Sequence, residues 1–432
     1  MRNLFLIEKI KKKLETNEFI KNLSIMVLGT LVSQAVPLIF MPILSRVYPV
    51  EEHGLYGIFF NILVSISIIA TLRYELAIVI GEDQNEAFKI FRVSALTATF
   101  MSLLCFCVFF FFTKTVLSLI GGNQNEDIEF WILFVPVGVF FNGLIQSYNY
   151  LLNRNKSYAE LTKSKLILAS VSVLLPLVLS MIVMVKGALI ISYLFSQFLC
   201  LLYLYFSCKT RSDDDSQRFV LSDLKEIFLK YKKFPLLNAP SSIIDQLAAV
   251  IPLFFINKKF GIENAAYYVM ALKVVSIPIS LLSYSVSQTL FSEIASRIEK
   301  KESFYFLLKK ALINLLIIGV FPTIVLLFFG ELLFGFVFGS QWTTSGKMVM
   351  IMSVSTYVKF AVSPLSISLI AMKKLKTIAF WQILYLVFNL TVVYLAPNET
   401  IMQYIFWLMI SDIIIYLIYV GLIFYNSKKT SG

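Results

Sequence analysis

Apolar runs separated by short polar segments make up the chain from about residue 23 to residue 425. A helix needs about 20 apolar residues to cross the hydrocarbon core of a bilayer, and most of the runs have that length. The pattern predicts transmembrane helices over residues 23–47, 54–80, 93–113, 129–152, 165–185, 188–207, 236–257, 265–291, 311–330, 347–371, 377–396 and 401–425. We therefore expect an all-α polytopic membrane protein with about twelve transmembrane helices.

Basic residues lie mainly in alternate connections between the predicted helices. If the N-terminus is cytoplasmic, 29 of the 38 Lys and Arg residues fall in cytoplasmic segments and 6 in outer connections. This asymmetry is the positive-inside signal, and an even number of helices places both termini in the cytoplasm. The net charge of +12 is thus explained by topology and anionic membrane lipids rather than by nucleic acid.

A polar linker at residues 208–235 separates two halves of six predicted helices each, and its second part is an amphipathic helix. We predict an N-terminal lobe over 23–207 and a C-terminal lobe over 236–425. A cytoplasmic interfacial segment at 1–22 and a cytoplasmic tail at 426–432 complete the domain organisation.

The two halves resemble each other at an offset of 212 residues. Gln34 then aligns with Gln246, and the turn YPVEE (48–52) aligns with FGIEN (260–264). Because each half holds an even number of helices, the halves are parallel repeats about an axis along the membrane normal. Repeats of this kind are common in secondary transporters.

Several predicted helices carry a polar stripe at helical spacing. Ser, Thr and Gly positions in these stripes are typical of helix packing, whereas charged residues favour a cavity or a buried ion pair. The candidate substrate-binding residues are the cations Arg73, Lys273 and Lys359 and the amides Gln34, Asn142, Gln146, Asn149 and Gln246. The candidate ion-coupling residues are Glu75, Asp245 and Asp412, and for Asp412 we first expect a buried lysine partner.

Arg73 and Glu75 are two residues apart in a predicted continuous helix. On a helix they would point about 200° apart, so both could not face one cavity. Glu75 continues the polar stripe of its helix, whereas Arg73 lies on a more apolar face from which it could reach the cytoplasmic interface.

Catalytic and metal chemistry is not indicated. The four cysteines lie in or at the end of apolar runs and His53 is the only histidine, so we expect no metal, redox site or cofactor. The longest outer connections, near 114–128 and 331–346, have no room for the catalytic loop of a glycosyltransferase or polymerase. We predict a protein that is not an enzyme.

Five stretches resemble the O-antigen and capsule repeat-unit flippases, or polysaccharide biosynthesis proteins, of the multidrug/oligosaccharidyl-lipid/polysaccharide exporter superfamily. They are LSRVYPVEEHGLYGIF (44–59), ATLRYELAIVI (70–80), NRNKSY (153–158), YKKFPLLNAPSSIIDQL (231–247) and IPISLLSYSVSQTLFSEIA (277–295). The resemblance implies two six-helix lobes around a central cavity. It also implies alternating-access transport of an undecaprenyl-pyrophosphate-linked oligosaccharide to the outer leaflet of the bacterial inner membrane.

On this resemblance, Arg73 is expected to receive the pyrophosphate and Lys273 and Lys359 to hold it at mid-membrane. Glu75 and Asp245 are expected to take up a proton. Further partners would be the polymerase and chain-length machinery of O-antigen, lipopolysaccharide or capsule synthesis. Two alternatives stay open from the residues: a multidrug or cation antiporter of the same fold, and a peptidoglycan lipid flippase.

Overall fold

The computed structural model describes residues 28–121, 126–183, 185–209, 221–397 and 399–431. Nearly all of these residues are helical, and they contain no β-strand, which confirms the all-α prediction. The predicted interfacial segment at 1–22 and the polar part of the linker at 210–220 lie outside the described residues.

Helices in the first half of the chain lie along the predicted apolar runs, with different boundaries. They are α1 (Leu28–Val47), α2 (Val50–Ser67), α3 (Glu75–Ile78), α4 (Gln84–Phe111), α5 (Thr113–Ile120), α6 (Glu126–Ile132), α7 (Val135–Arg154), α8 (Tyr158–Ile182) and α9 (Ala188–Lys209).

A short linker helix, α10 (Leu221–Lys230), precedes the helices of the second half, and a π-helical turn over Phe234–Asn238 leads into them. They are α11 (Ala239–Phe260), α12 (Ile262–Glu299), α13 (Tyr305–Phe338), α14 (Thr343–Val362), α15 (Ile367–Ala371), α16 (Leu375–Leu395) and α17 (Ile401–Ser431).

Nine helices in the described ranges are long and apolar enough to cross a membrane, and α6 with α7 forms a tenth span bent by 41°. The remaining predicted spans, 54–80 and 265–291, coincide with α2 plus α3 and with α12, which are less apolar. Each predicted span thus overlaps one or more helices, and a count of twelve is consistent with the structure.

Unit 1 consists of the described residues up to Leu44 together with Ile62–Thr113 and Phe130–Pro240. Within it, α4 and α7 pack closely because small residues face each other. A Cβ added to Gly143 would lie 2.7 Å from the Ala98 Cβ, and the Ser94 and Ser147 hydroxyls are 2.7 Å apart. The small-residue face of α7 is therefore a packing face, as expected for such stripes.

Unit 2 consists of Ser45–Asn61, Lys114–Glu129 and Ser241–Gly432. Its two segments from the first half of the sequence are held by hydrogen bonds to backbone carbonyls. Ser45 Oγ donates to Phe338 O at 2.9 Å, and Asn257 Nδ2 donates to Ile120 O at 2.7 Å. The predicted lobes at 23–207 and 236–425 divide the chain by its repeat and stay a prediction.

Candidate functional site

The second predicted helix is broken in unit 1, where we expected a continuous span. α2 ends at Ser67, seven residues follow as turns, and α3 starts at Glu75. Leu72 and Arg73 have φ angles of 48° and 65°, in the left-handed region that non-glycine residues seldom occupy. The prediction of one continuous helix over 54–80 is wrong at this point.

This break brings Arg73 and Glu75 together. Arg73 Nη1 lies 3.5 Å from Glu75 Oε1, and Thr71 Oγ1 donates a hydrogen bond to Glu75 Oε2. The Glu75 side chain is fully buried, whereas that of Arg73 keeps 19% of its surface exposed. The charge of Arg73 is therefore balanced within unit 1, and the inference that the two residues point apart is wrong.

Arg154, at the end of α7, holds the far end of the broken helix, and sequence reasoning missed this role. Its guanidinium donates to the carbonyl oxygens of Ile78, Val79, Gly81 and Asp83 at 2.9–3.1 Å. The carbonyls of Ile78 and Val79 lie at the C-terminus of α3, where a helix leaves acceptors unsatisfied, and those of Gly81 and Asp83 lie in the turn that leads to α4. The only signal in the sequence is the presence of Arg154 in the motif NRNKSY.

The linker helix α10 packs against the same region. The rings of Tyr74 and Phe228 lie 5.1 Å apart in a T-shaped contact, and Lys230 Nζ pairs with Glu82 at 2.7 Å and with Glu86. Hydrogen bonds to Glu82 and then to Glu86 raise the pKa of Lys230 above its ordinary value. Lys230 therefore keeps its charge throughout the physiological pH range.

Amide side chains of α7 form a half-buried stripe beside its packing face. Gln146 Nε2 donates to Asn142 Oδ1 at 3.4 Å, while the buried Asn149 Oδ1 has no hydrogen-bond partner in the described part of the chain. A buried acceptor without a donor is costly. The stripe thus offers an acceptor that a sugar hydroxyl could satisfy. Gln34, in α1, is also half-buried.

Lys165 is a second residue of unit 1 that the sequence interpretation missed. The predicted span 165–185 begins at this residue, so Lys165 was counted with the basic residues of the cytoplasmic connection. In the structure it lies in the second turn of α8, and its Nζ donates to Thr30 Oγ1 at 3.0 Å. Among the described residues it has no carboxylate partner.

Lys359 and Asp412 form an ion pair within unit 2. Lys359 Nζ lies 2.6 Å from Asp412 Oδ2, and Tyr385 Oη donates to Asp412 Oδ1 at 3.2 Å. The ammonium also lies 5.9 Å from the ring centroid of Tyr385 and 5.7 Å from that of Tyr416. The expected lysine partner of Asp412 is therefore Lys359.

Lys273, in α12, has a different environment in unit 2. Its Nζ lies 4.8 Å from the ring centroid of Tyr56 and 6.0 Å from that of Phe60. Cation–π contacts of this kind stabilise a cation without neutralising its charge. Of the described residues none provides a carboxylate to Lys273, so it is available for an external anion.

Asp245 is exposed and is not paired with either lysine. Gln382 donates a hydrogen bond to it, and Ser241 Oγ donates to Gln382 Oε1 at 3.0 Å. Gln382 is a site residue that sequence reasoning missed, because the polar residues of α16 are few and widely spaced. Gln246 is half-buried on the same helix as Asp245.

An apolar cavity of about 390 Å³ lies between α12, α13 and α14 in unit 2. The hydroxyls of Thr323, Ser353 and Tyr357 on its lining donate to helix carbonyls, so they are satisfied within the protein. Most of the lining side chains are apolar, so the cavity suits hydrocarbon.

These features define an all-α, multi-pass membrane protein with charged residues inside its spans, and comparison with solved structures gives its fold. A structure titled "Lipid II flippase MurJ, inward closed conformation" matches 94% of this chain and 89% of its own, with 16% identity and a TM-score of 0.75. An inward-facing multidrug resistance MATE transporter of the MOP superfamily matches 92% and 96%, with 14% identity and a TM-score of 0.68. A MOP superfamily transporter from Pyrococcus furiosus, whose title reports reversed polarity of the binding pocket, matches 96% of both chains, with 16% identity and a TM-score of 0.60.

The sequence itself assigns the family. The model of a family described as "Polysaccharide biosynthesis protein" matches residues 43–347, and the chain belongs to that family. No curated protein matches the chain. The resemblance found in the sequence motifs is thereby confirmed.

Proposed function

We propose that the protein moves an undecaprenyl-pyrophosphate-linked oligosaccharide repeat unit from the inner to the outer leaflet of the bacterial inner membrane. The family, described by polysaccharide biosynthesis, and the fold, shared with a lipid flippase, support transport of a lipid-linked glycan. The single observation that carries the proposal is Lys273, a cation on a membrane helix with aromatic contacts and no carboxylate among the described residues.

This substrate carries an anionic pyrophosphate and sugar hydroxyls, and the described residues include a cation and amides that can bind them. Lys273 binds the pyrophosphate by charge-assisted hydrogen bonds. The amides of α7, including the unsatisfied Asn149 Oδ1, accept hydrogen bonds from the sugar hydroxyls. Gln34 and Gln246 supply further amide groups, while Arg73 and Lys359 are already paired with acids and serve mainly to hold the structure.

Return of the empty protein requires an energy source, and Asp245 is our candidate for proton coupling. Asp412 faces Lys359 and Glu75 faces Arg73, whereas Asp245 accepts a hydrogen bond from a neutral amide, Gln382, and has no cationic partner among the described residues. Asp245→Asn is expected to make flipping insensitive to an imposed pH gradient. Unchanged sensitivity in this variant would contradict the assignment.

The test of the proposed function is flipping by the purified full chain in vesicles that contain the lipid-linked oligosaccharide. Wild-type protein should expose the glycan to an added lectin, and Lys273→Met should abolish exposure while Lys347→Met does not. Lys347 is a matched control because its exposed ion pair with Glu331, at 3.3 Å, lies outside the proposed site. Equal activity of wild-type and Lys273→Met protein would overturn the proposal.

Two other functions share the fold and give different outcomes. A peptidoglycan lipid flippase would move a lipid-linked peptidoglycan precursor faster than the oligosaccharide carrier. A multidrug or cation antiporter would use the exposed Asp245 and would lower drug accumulation in cells.

In the proposed setting the protein has cytoplasmic termini and works with polymerase and chain-length machinery in O-antigen, lipopolysaccharide or capsule synthesis.

A further inference from the structure

Two lysines of α8, two residues apart, have contrasting environments. Lys163 is 59% exposed and pairs with Glu160 at 3.3 Å, as expected for a lysine at a membrane interface. Lys165 is half-buried and reaches across to α1, where its Nζ donates to Thr30 Oγ1 at 3.0 Å. The two side chains therefore differ in exposure and in their partners, although they carry the same charge.

Close packing of α1 and α8 fixes the position of Lys165. A Cβ added to Gly29 would lie 2.1 Å from Thr162 Cγ2, so the helices touch one turn before the Thr30–Lys165 contact. Lys165 comes seven residues after the start of α8, about 10 Å along its axis. That depth places its ammonium near the boundary between headgroups and hydrocarbon on the side of the polar turn at 155–157, which the distribution of Lys and Arg makes cytoplasmic.

The charge of Lys165 is not balanced by the described part of unit 1. An ammonium has three N–H donors, and one of them is used by a neutral hydroxyl. A half-buried cation that no described carboxylate balances favours binding of an external anion. Arg73, the cation first expected to meet the substrate on this side, is paired with Glu75.

We propose that Lys165 and Thr30 form a binding site for the diphosphate of a polyprenyl-linked substrate on the cytoplasmic side of unit 1. This inference rests on the proposed function and adds the residue at which the substrate is first bound. An anionic phospholipid headgroup offers the same phosphate chemistry, so the experiment must distinguish the two sources.

The test uses the full chain in nanodiscs of neutral phosphatidylcholine, with a polyprenyl diphosphate as the probe and the polyprenyl alcohol as its uncharged counterpart. Lys165→Met should weaken diphosphate binding by about tenfold to a hundredfold, the range of a lost charged hydrogen bond. Lys163→Met should change it by less than about twofold. Lys165→Arg should retain most of the affinity, and no variant should change binding of the alcohol.

Equal diphosphate binding by wild-type and Lys165→Met protein would overturn the inference. Equal loss of diphosphate and alcohol binding would also overturn it, since that result indicates a damaged structure. If added phosphatidylglycerol displaces the diphosphate fully at equal concentration, the site belongs to bulk lipid and the substrate assignment fails. Because binding is measured without transport, a chain that binds the diphosphate through Lys165 but does not flip glycan would contradict only the proposed function.

Discussion

Arg73 and Glu75 form an ion pair, 3.5 Å apart, across a break in a membrane helix. In a continuous helix, residues at this spacing would point about 200° apart. The left-handed conformations of Leu72 and Arg73 turn the chain so that both side chains meet. The ion pair therefore depends on the unusual backbone conformation. Substitutions can test the backbone conformation and the charges separately.

We expect glycine to be more stabilising than alanine at position 72, by about 1 kcal/mol, because glycine adopts a left-handed conformation without strain. Comparing Leu72→Gly with Leu72→Ala isolates the backbone, since both variants lose the same leucine side chain. At Leu104, an exposed position inside α4, the order should reverse, with glycine less stable by about 1 kcal/mol. Reversible denaturation in mild detergent measures both differences, and the same order at both positions would contradict the break.

The Arg73–Glu75 pair should show strong coupling in a double-mutant cycle. Glu75→Gln removes the carboxylate that faces a partly buried guanidinium and should destabilise unit 1 by about 3 kcal/mol. The double variant Arg73→Met, Glu75→Gln should recover most of that loss. The exposed pair of Arg297 and Glu293, at 2.9 Å, is the control and should show coupling below about 1 kcal/mol. Additive effects of the Arg73 and Glu75 substitutions would contradict a functional ion pair in the folded protein.

Much of the fold was predictable because apolar length and basic-residue asymmetry are strong signals in a membrane protein. The predicted spans coincide with helices except at the break within 54–80, and the lysine partner of Asp412 was anticipated from the cost of a buried charge. The break after Ser67 was not predictable, since residues 58–80 contain neither Gly nor Pro. It depends on contacts with residues distant in sequence, such as Arg154 and Phe228, which periodicity cannot detect.

Site residues were predictable where a charge interrupts an apolar run and were missed elsewhere. Lys273 and Lys359 stand out in the sequence, but only the structure distinguishes the lysine with a carboxylate from the one without. Lys165 was missed because span boundaries read from hydropathy are uncertain by a few residues. Gln382 was missed because two amides, Gln382 and Asn389, in a mainly apolar helix are too few to define a polar stripe.

Lys273 and Lys359 should respond differently to the same substitution. Lys273→Met should abolish glycan export while the amount of protein in the membrane stays normal, because no carboxylate is left unpaired. Lys359→Met should lower the amount of protein, since Asp412 would lose its cation. Adding Asp412→Leu to Lys359→Met should restore the protein level. Immunoblots together with surface glycan staining measure both properties, and identical phenotypes of the two single variants would contradict this division of roles.

The contact of α10 with the broken helix should depend on Lys230. Its pKa is raised by the hydrogen bonds with Glu82 and Glu86, so the pairing is fully present below the ordinary lysine pKa and is lost only as the pH rises through the raised value. Lys230→Gln should therefore increase hydrogen exchange across the described residues of α10 equally at about pH 6 and pH 9. High salt should act in the same direction on wild-type protein, because the pair is solvent-accessible. Lys225→Gln is the matched control, since Lys225 is exposed on the same helix, and it should leave exchange unchanged. Equal exchange in the Lys230 and Lys225 variants would show that the apolar contact of Tyr74 with Phe228 holds α10 without the ion pair.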